Sequence, residues 1–277
     1  MQFFPILEWR WNVLKIWNKK TPLPWWLKTL KIIGIIAVVL LVWQVVFTLM
    51  VEVFEIWKPY VFPSPMRVFR AYKKLITNGS LFIGIGQSMK RILIGYGIAV
   101  IIGIASGMLI ARFDFLSKIF RPIVPGIQTL PSVCWVPFAI LWYGLAESAS
   151  IFIVVVGSAF SICTAVDTGI RSVNPLYIRA GRTMGAKGAE LYTRIILPAS
   201  VPALIGALRQ GWSFAWRALM TGEMMMSSKG IGLMLSQARE IGGINEVTAV
   251  MLVIILISMA IDKLIFGLIE KHACKWQ

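Results

Sequence analysis

One arginine lies inside an otherwise apolar stretch of the sequence, and polar residues accompany it at helical spacing. Arg217 follows Trp216, Arg209 lies two helical turns earlier, and Ser213 lies one turn from each arginine. Because residues four apart share a helix face, these side chains would form one polar stripe. Two fixed cations there would offset the desolvation of a small anion and favour its passage. The alternatives are that Arg217 reaches toward a membrane interface or pairs with Glu223.

Other residue types that support catalysis or metal binding do not occur in useful combinations. The three cysteines share no metal-ligand spacing, and the sequence has one histidine. Glu147, Asp167 and Glu223 are expected near the ends of apolar stretches, far apart in sequence, with no acid in the middle of a span. An intramembrane enzyme would need paired acids, a nucleophile with its base, or a metal. The sequence therefore predicts a protein that is not an enzyme and has no metal site.

The composition predicts that lipid, rather than water, surrounds most of the protein surface. Hydrophobic residues make up 58% of the chain and charged residues 14%, whereas soluble domains average about 45–50% and about 25%. The formal net charge is +16, but the basic residues lie mainly between apolar stretches and at the two ends. This distribution is typical of loops that face anionic lipid rather than of a nucleic-acid-binding face. The lipid bilayer is thus an expected partner, and nucleic acid is not.

About six apolar stretches are long enough to cross a bilayer, which takes roughly 20 helical residues. The fold class expected is therefore all-α, a polytopic membrane protein. The predicted spans are residues 32–51, 92–110, 119–143, 148–166, 201–221 and 247–269.

The third predicted span contains four prolines, Pro122, Pro125, Pro131 and Pro137. Proline removes a backbone donor and disturbs the preceding turn, and in a membrane such breaks persist only against protein or a water-filled cavity. We therefore expect the polar residues at the interruption to line a translocation pathway, although ordinary kink packing is an equal alternative. These residues are Gln128, Thr129 and Ser132.

The distribution of lysine and arginine predicts the orientation. Residues 1–31 form a basic, Trp-rich segment that suits the headgroup region, and residues 32–277 form the transmembrane domain. More of the basic residues fall inside if both termini are cytoplasmic. The first outer loop, residues 52–91, opposes this locally, and some of its basic residues are expected on an amphipathic helix at the outer surface.

Gly103 and Gly107 form a Gly-x-x-x-Gly pair in the second span, with Ala99 one turn earlier. Small residues at this spacing allow two helix backbones to approach closely. The pair therefore indicates either packing within one subunit or the seam of a dimer.

The loop at residues 167–198 contains a short amphipathic helix. Asn174 and Pro175 are typical of a helix start, because an asparagine caps the first turn and proline fits the first helical position. Gly185 is suited to end the helix. Three apolar residues share one face with two basic residues beside it, which suits the groove of a partner protein or a flat position on the membrane. The apolar residues are Leu176, Ala180 and Met184, and the basic residues are Arg179 and Arg182.

This loop resembles the cytoplasmic signature of permeases from ATP-binding-cassette importers, which is Glu-Ala-Ala, three residues, Gly, nine residues, Ile, one residue, Leu-Pro. The matching positions here are Arg179, Ala180, Gly181, Gly185, Ile195, Leu197 and Pro198. Arg179 replaces the usual Glu and Gly181 replaces the second Ala, while the spacing is kept.

Four further segments resemble the nitrate, sulfonate, taurine and bicarbonate branch of these importers. They are FPSPMRVF at 62–69, SMKRILIGYGIAVIIGIASG at 88–107, LPSVCWVPFAILWYGLAE at 130–147 and ALRQGWSFAWRALMTGEM at 207–224. The resemblance covers about residues 60–270. The branch also includes permeases for thiamine-precursor and other small ligands.

The resemblance implies a membrane-spanning permease subunit in a bacterial inner membrane. Two copies, a homodimer, would sit on two ATPase subunits that bind ATP and Mg, and an external binding protein would deliver the substrate. The short loop helix would be the coupling helix. The chain itself has no Gly-x-x-x-x-Gly-Lys-[Ser/Thr] phosphate loop, so no cofactor is expected in it. A secondary transporter or channel is the alternative function.

Overall fold

A computed structural model describes residues 25–58, 60–226 and 229–273. Regular structure within these ranges is helical throughout. The chain divides into two units, Met1–Pro65 and Met66–Gln277. Of the basic, Trp-rich segment predicted for residues 1–31, the part before Trp25 lies outside the described residues.

The first unit contains one long apolar helix. Helix α1 (Trp25–Phe47) continues into a π-helical turn at Thr48–Val53. Its side chains are almost all apolar. Its backbone groups hydrogen-bond within the helix, as a hydrocarbon environment requires. Residues Thr29–Val53 are long and apolar enough to cross a membrane, which agrees with the span predicted at 32–51.

The second unit is built from a helical bundle. Its helices are α2 (Pro65–Thr77), α3 (Ser80–Arg112), α4 (Asp114–Gln128), α5 (Val136–Tyr143), α6 (Glu147–Arg171), α7 (Pro175–Thr183), α8 (Gly188–Leu191), α9 (Leu197–Met225), α10 (Ile231–Glu240), α11 (Ile244–Ile261) and α12 (Gly267–Ala273). Short π-helical segments at Tyr192–Ile196 and Asp262–Phe266 join α8 to α9 and α11 to α12.

The number of spans agrees with the sequence-based expectation. Among the described residues, five helical stretches are long and apolar enough to cross a membrane, and a sixth is counted if one bent pair is a single span. Besides the stretch in the first unit they are Ser80–Arg112, Glu147–Arg171, Gly188–Met225 and Ile244–Lys271. The prediction of an all-α, polytopic membrane fold is therefore confirmed.

The third predicted span, at 119–143, corresponds to the bent pair Asp114–Gln128 and Ser132–Tyr143, whose two parts meet at an angle of 98°. The prolines do not contribute equally to this bend. Pro122 and Pro125 lie inside α4 without ending it, and Pro137 lies in the first turn of α5, where a missing N–H is tolerated. The chain leaves the helical conformation at Pro131, whose ψ is 142°. The break is therefore confined to residues 129–131.

The glycine pair in α3 serves packing inside one chain. A Cβ atom added to Gly103 would lie 2.7 Å from Cβ of Ile162, and one added to Gly107 would lie 2.7 Å from the carbonyl oxygen of Cys163. Both contacts are to α6, so only glycine allows the two backbones to approach this closely. Of the two alternatives for this pair, packing within a subunit is the one that the structure shows.

Two sequence-based placements of charged residues are wrong. Helix α3 begins at Ser80, so Lys90 and Arg91 belong to a helix rather than to the first outer loop. Asp262 lies well inside the span Ile244–Lys271, where no acid was expected. Side chains on other helices explain both positions, because a charged residue within the bundle is tolerated when another side chain pairs with it or hydrogen-bonds to it.

Candidate functional site: a cavity at the break in the membrane helices

A cavity of about 300 Å³ lies beside the break between α4 and α5. Four residues that the sequence predicted for the pathway line it together: Gln128, Thr129, Ser132 and Arg217. The first three come from the break itself, and Arg217 comes from the middle of α9, so the bend of the chain brings them to one wall. Aromatic side chains complete the lining, namely Trp135, Phe160 and Phe214.

Arg217 is an exposed cation without an acidic partner in the described part of the chain. Its guanidinium lies 4.2 Å from the centre of the Phe214 ring, and its Nε donates a long hydrogen bond of 3.3 Å to the carbonyl oxygen of Ser213. The aromatic ring stabilises the cation without neutralising it. The predicted alternative of a pair with Glu223 is wrong, because Glu223 forms its ion pair with Arg91. The side chain thus retains a full positive charge beside the cavity.

Hydroxyl groups hold the edges of the break. The Thr129 hydroxyl donates to the carbonyl oxygen of Gly126 at 2.7 Å, which satisfies a group at the end of α4. The hydroxyls of Ser132 and Thr221 lie 3.1 Å apart, and Thr221 in turn donates to the Arg217 carbonyl at 3.0 Å. These contacts attach the break to the α9 segment that carries Arg217.

The remainder of the predicted polar stripe does not reach the cavity. Arg209 binds both carboxylate oxygens of Asp262, at 2.5 and 2.8 Å, so its charge is neutralised by a residue far along the chain. Trp216 is buried in the core against Trp212. Ser213 is exposed, and its hydroxyl lies 3.4 Å from the Arg209 carbonyl. The geometry therefore places one cation at the cavity, rather than two.

The predicted loop helix forms at the expected place. The Asn174 side chain accepts a hydrogen bond from the backbone N–H of Leu176 at 2.9 Å, which caps the first turn. Gly185 has a φ of +90°, a conformation that glycine adopts without strain. The N–H of Ala186 donates to the Gly181 carbonyl at 3.0 Å, which closes the last turn.

Helix α7 presents an uncovered apolar face. Leu176, Ala180 and Met184 are all exposed, Met184 to 79% of its full area. Met184 follows the last helical residue, so it closes the helix rather than lying within it. Arg179 and Arg182 are also exposed. Apolar side chains exposed in this way on a short, well-capped helix are typical of an interaction surface.

The later part of the loop signature packs against this helix. Gly181 is buried, and a Cβ atom there would meet Cδ1 of Ile195. The glycine that replaces the usual alanine therefore leaves room for that isoleucine. Leu197 and Pro198 then begin α9, where proline is tolerated in the first turn.

A buried ion-pair network at the other end of the bundle was not predicted. Arg91 donates to Glu223 at 2.9 Å and to Glu147 at 3.0 Å. Glu223 also accepts from the Ser88 hydroxyl at 2.7 Å and from the backbone N–H of Gly232 at 2.9 Å. The network joins α3, α6, α9 and α10. No local motif indicates it, since its partners lie on four separate helices.

A second unpredicted network lies near α7. Asp167 is buried and accepts hydrogen bonds from Arg121 at 2.8 Å and from Arg171 at 2.9 Å. Arg171 also donates to the Ser117 hydroxyl at 2.8 Å. These contacts attach α4 to the end of α6, on the side from which the α7 loop leaves.

The sequence is similar to known transport permeases over most of its length. Residues 99–272 match the family model described as the binding-protein-dependent transport system inner membrane component. The taurine transport system permease protein TauC of Escherichia coli is 26% identical over 264 residues, which cover 92% of this chain and 89% of that protein. The nitrate import permease protein NrtB of Synechocystis is 27% identical over 239 residues, which cover 83% and 84% of the two chains.

The fold is similar to that of a solved transporter chain. A chain of the MetNI methionine ABC transporter in an inward-facing conformation superimposes with a TM-score of 0.61 at 20% identity, covering 70% of this chain and 96% of that one. These similarities support an importer permease over a secondary transporter or a channel. Because the family model matches well over half of its residues, the chain belongs to the binding-protein-dependent transport system inner membrane components and is a multi-pass permease of an ATP-binding-cassette importer.

Proposed function

We propose that this permease imports a small anion of the nitrate, bicarbonate, sulfonate or taurine class, and that the anion passes the cavity beside Arg217. The observation that carries the proposal is that Arg217 lies exposed at this cavity with no carboxylate within ion-pair distance in the described part of the chain. The sulfonate of taurine and the nitrate ion, which the named relatives transport, are both negatively charged at neutral pH.

The chemistry of the lining suits an oxyanion. A guanidinium presents parallel N–H donors that match two oxygens of a planar or tetrahedral anion. Gln128 lies on the same wall, and its side-chain amide can add N–H donors for the remaining oxygens, whereas the hydroxyl hydrogens of Thr129 and Ser132 are already used within the protein. Beside the low-dielectric interior of a membrane bundle, a single fixed cation attracts an anion more strongly than it would at a fully solvated surface. A cavity of about 300 Å³ has room for such a solute and for a few of the water molecules that hydrate it.

The proposal includes the partners of the permease. The exposed face of Leu176, Ala180 and Met184 docks in a groove of a separate ATPase subunit, which binds ATP and Mg and carries out hydrolysis. An external binding protein delivers the anion, and two copies of this chain form the complete pathway. Both termini lie on the cytoplasmic side of a bacterial inner membrane, which places α7 on the side of the ATPase.

Substitution of Arg217 tests the proposal. In proteoliposomes that contain the permease, its ATPase and its binding protein, we expect Arg217→Leu to reduce anion-stimulated ATP hydrolysis about 10- to 100-fold, the effect of losing hydrogen bonds to a charged group. Arg217→Lys keeps the charge and should retain part of the stimulation. The substrates to be measured are nitrate, bicarbonate, taurine and an alkanesulfonate.

Arg194→Leu is the control for loss of one positive charge, because Arg194 is an exposed residue paired with Glu190, away from the cavity. It should transport as the wild type does. If Arg217→Leu transports normally, or fails to assemble with the ATPase, Arg217 is not a pathway residue and the proposal is wrong.

A further inference from the structure

A second pocket, of about 510 Å³, lies where the ends of two spans meet the α7 loop. Arg112 ends α3 and Arg171 ends α6, while Arg182 is contributed by the last turn of α7. The other lining residues are mostly apolar and belong to α6, α7, α8 and the π-helical segment after it: Ile170, Ile178, Leu191, Tyr192 and Ile196. The pocket thus has three guanidinium groups and an apolar wall.

The pocket has an uncompensated positive charge. Asp167 neutralises Arg171 through a 2.9 Å ion pair. No acidic side chain lines the pocket, and neither Arg112 nor Arg182 forms an ion pair with any described residue. Arg112 and Arg182 therefore line the same space without a counterion from the described part of the chain, an arrangement that favours a bound anion.

The position of the pocket indicates which kind of anion can reach it. The ends of membrane spans lie at the level of the lipid headgroups, where arginines contact anionic lipid. Ile178 and Arg182 lie on the side of α7 opposite to Leu176 and Ala180, because residues two apart on a helix point in nearly opposite directions. Arg182 thus does not lie beside the apolar face, where the sequence predicts it. A protein docked on the exposed apolar face of α7 would therefore leave this pocket open.

We propose that the pocket binds the phosphate group of an anionic molecule, held by Arg112 and Arg182. Arginine binds phosphate oxygens through paired N–H donors. Beside the phosphate, the partly exposed side chains of Ile178, Tyr192 and Ile196 provide an apolar surface for the glycerol and first acyl carbons of a phospholipid. A ligand bound there bridges α7 to the ends of α3 and α6, so that it attaches the loop helix to the bundle.

Lipid binding to the assembled importer tests this proposal. We would titrate the purified complex of permease and ATPase with phosphatidylglycerol or phosphatidylcholine in detergent and count bound lipids by native mass spectrometry. The Arg112→Gln/Arg182→Gln variant should bind phosphatidylglycerol about tenfold more weakly for each arginine removed. The control, Lys118→Gln/Arg194→Gln, removes the same charge from exposed residues outside the pocket and should bind as the wild type does.

A parallel titration with inorganic phosphate distinguishes the two sources of the anion. If millimolar phosphate displaces the lipid, and its effect disappears in the Arg112→Gln/Arg182→Gln variant, the pocket takes soluble phosphates as well as lipid. Equal phosphatidylglycerol binding by the pocket variant and the control variant, or equal binding of phosphatidylcholine, would overturn the proposal. The single variant Arg182→Gln provides the same comparison if the double variant does not assemble.

Discussion

The buried ion pair between Arg91 and Glu223 should be the most sensitive polar contact of the bundle. Their side chains are 2% and 0% exposed, and the two residues join α3 to α9. Arg91→Met would remove the arginine and leave the Glu223 carboxylate buried, with the Ser88 hydroxyl and the Gly232 N–H as its remaining donors among the described residues. A carboxylate without its cation inside a protein is strongly unfavourable.

The burial of Arg91 and Glu223 determines how much free energy of unfolding each substitution should cost. Removing one partner of a buried ion pair costs about 3–5 kcal/mol, and we expect this loss for Arg91→Met. Glu223→Met should cost less, because Arg91 keeps its ion pair with Glu147. The double variant replaces both charges by apolar side chains, so its cost should be clearly smaller than the sum of the two. Glu147 binds the same arginine, but its side chain is 47% exposed. Glu147→Gln should therefore cost no more than about 1 kcal/mol.

The measurement is the free energy of unfolding of the purified permease in mixed micelles, obtained by titration with dodecyl sulfate. Glu147→Gln is the matched control, because it removes an ion pair with Arg91 without leaving a buried charge. Two results would refute the reasoning. One is equal destabilisation by Arg91→Met and Glu147→Gln, and the other is a double variant whose cost equals the sum of the single variants.

Two further substitutions test the packing of the bundle and the docking helix. Gly103→Ala places a Cβ atom 2.7 Å from Cβ of Ile162 and should destabilise the permease by about 1–3 kcal/mol through overpacking, measured by the same titration. Met184→Asp should prevent copurification with the ATPase, because docking would bury an unpaired charge. Its insertion into the membrane should be normal, since Met184 is 79% exposed.

Each of these substitutions has a control in the same chain. A Cβ atom at Gly97 would meet nothing within 4 Å, so Gly97→Ala should be neutral or slightly stabilising. Thr77→Asp adds the same charge as Met184→Asp to an exposed position on α2 and should leave ATPase binding unchanged. Wild-type stability of Gly103→Ala, or an intact ATPase complex with Met184→Asp, would contradict the corresponding prediction.

The features that could be predicted from the sequence are those with local causes. The bounds of α7 follow from Asn174, Pro175 and Gly185, because capping and a left-handed glycine act within a few residues. The spans follow from continuous apolar composition in the same way. The break near residue 130 was predicted from its prolines, although Pro122 and Pro125 remain helical because a membrane bundle tolerates proline within a helix.

The features that the sequence did not reveal depend on contacts between distant residues. The sequence alone predicts an outer loop for Arg91, because its partners, Glu223 and Glu147, lie 132 and 56 residues away. Arg209 was grouped with Arg217 by helical spacing, which does not show that Asp262, 53 residues later, neutralises it. Spacing along one helix predicts which side chains share a face, whereas the charge of a site depends on what the other helices contribute.

We propose that the solute passes the cavity at the break between α4 and α5, and the accessibility of this cavity tests that passage most directly. Single cysteines would replace Gln128, Thr129 and Ser132 in a background in which exposed Cys134 is serine. A cysteine at Ala99, which is fully buried against α6, is the control.

The measurement is the rate of modification by a water-soluble thiol reagent in the assembled importer, with and without ATP and with and without the transported anion. We expect all three cysteines at the break to react in at least one nucleotide state, the anion to slow the reaction, and modification to block transport. The control cysteine should remain unmodified throughout. Protection of all three positions in every nucleotide state, with transport intact, would contradict the assignment of this cavity to the pathway.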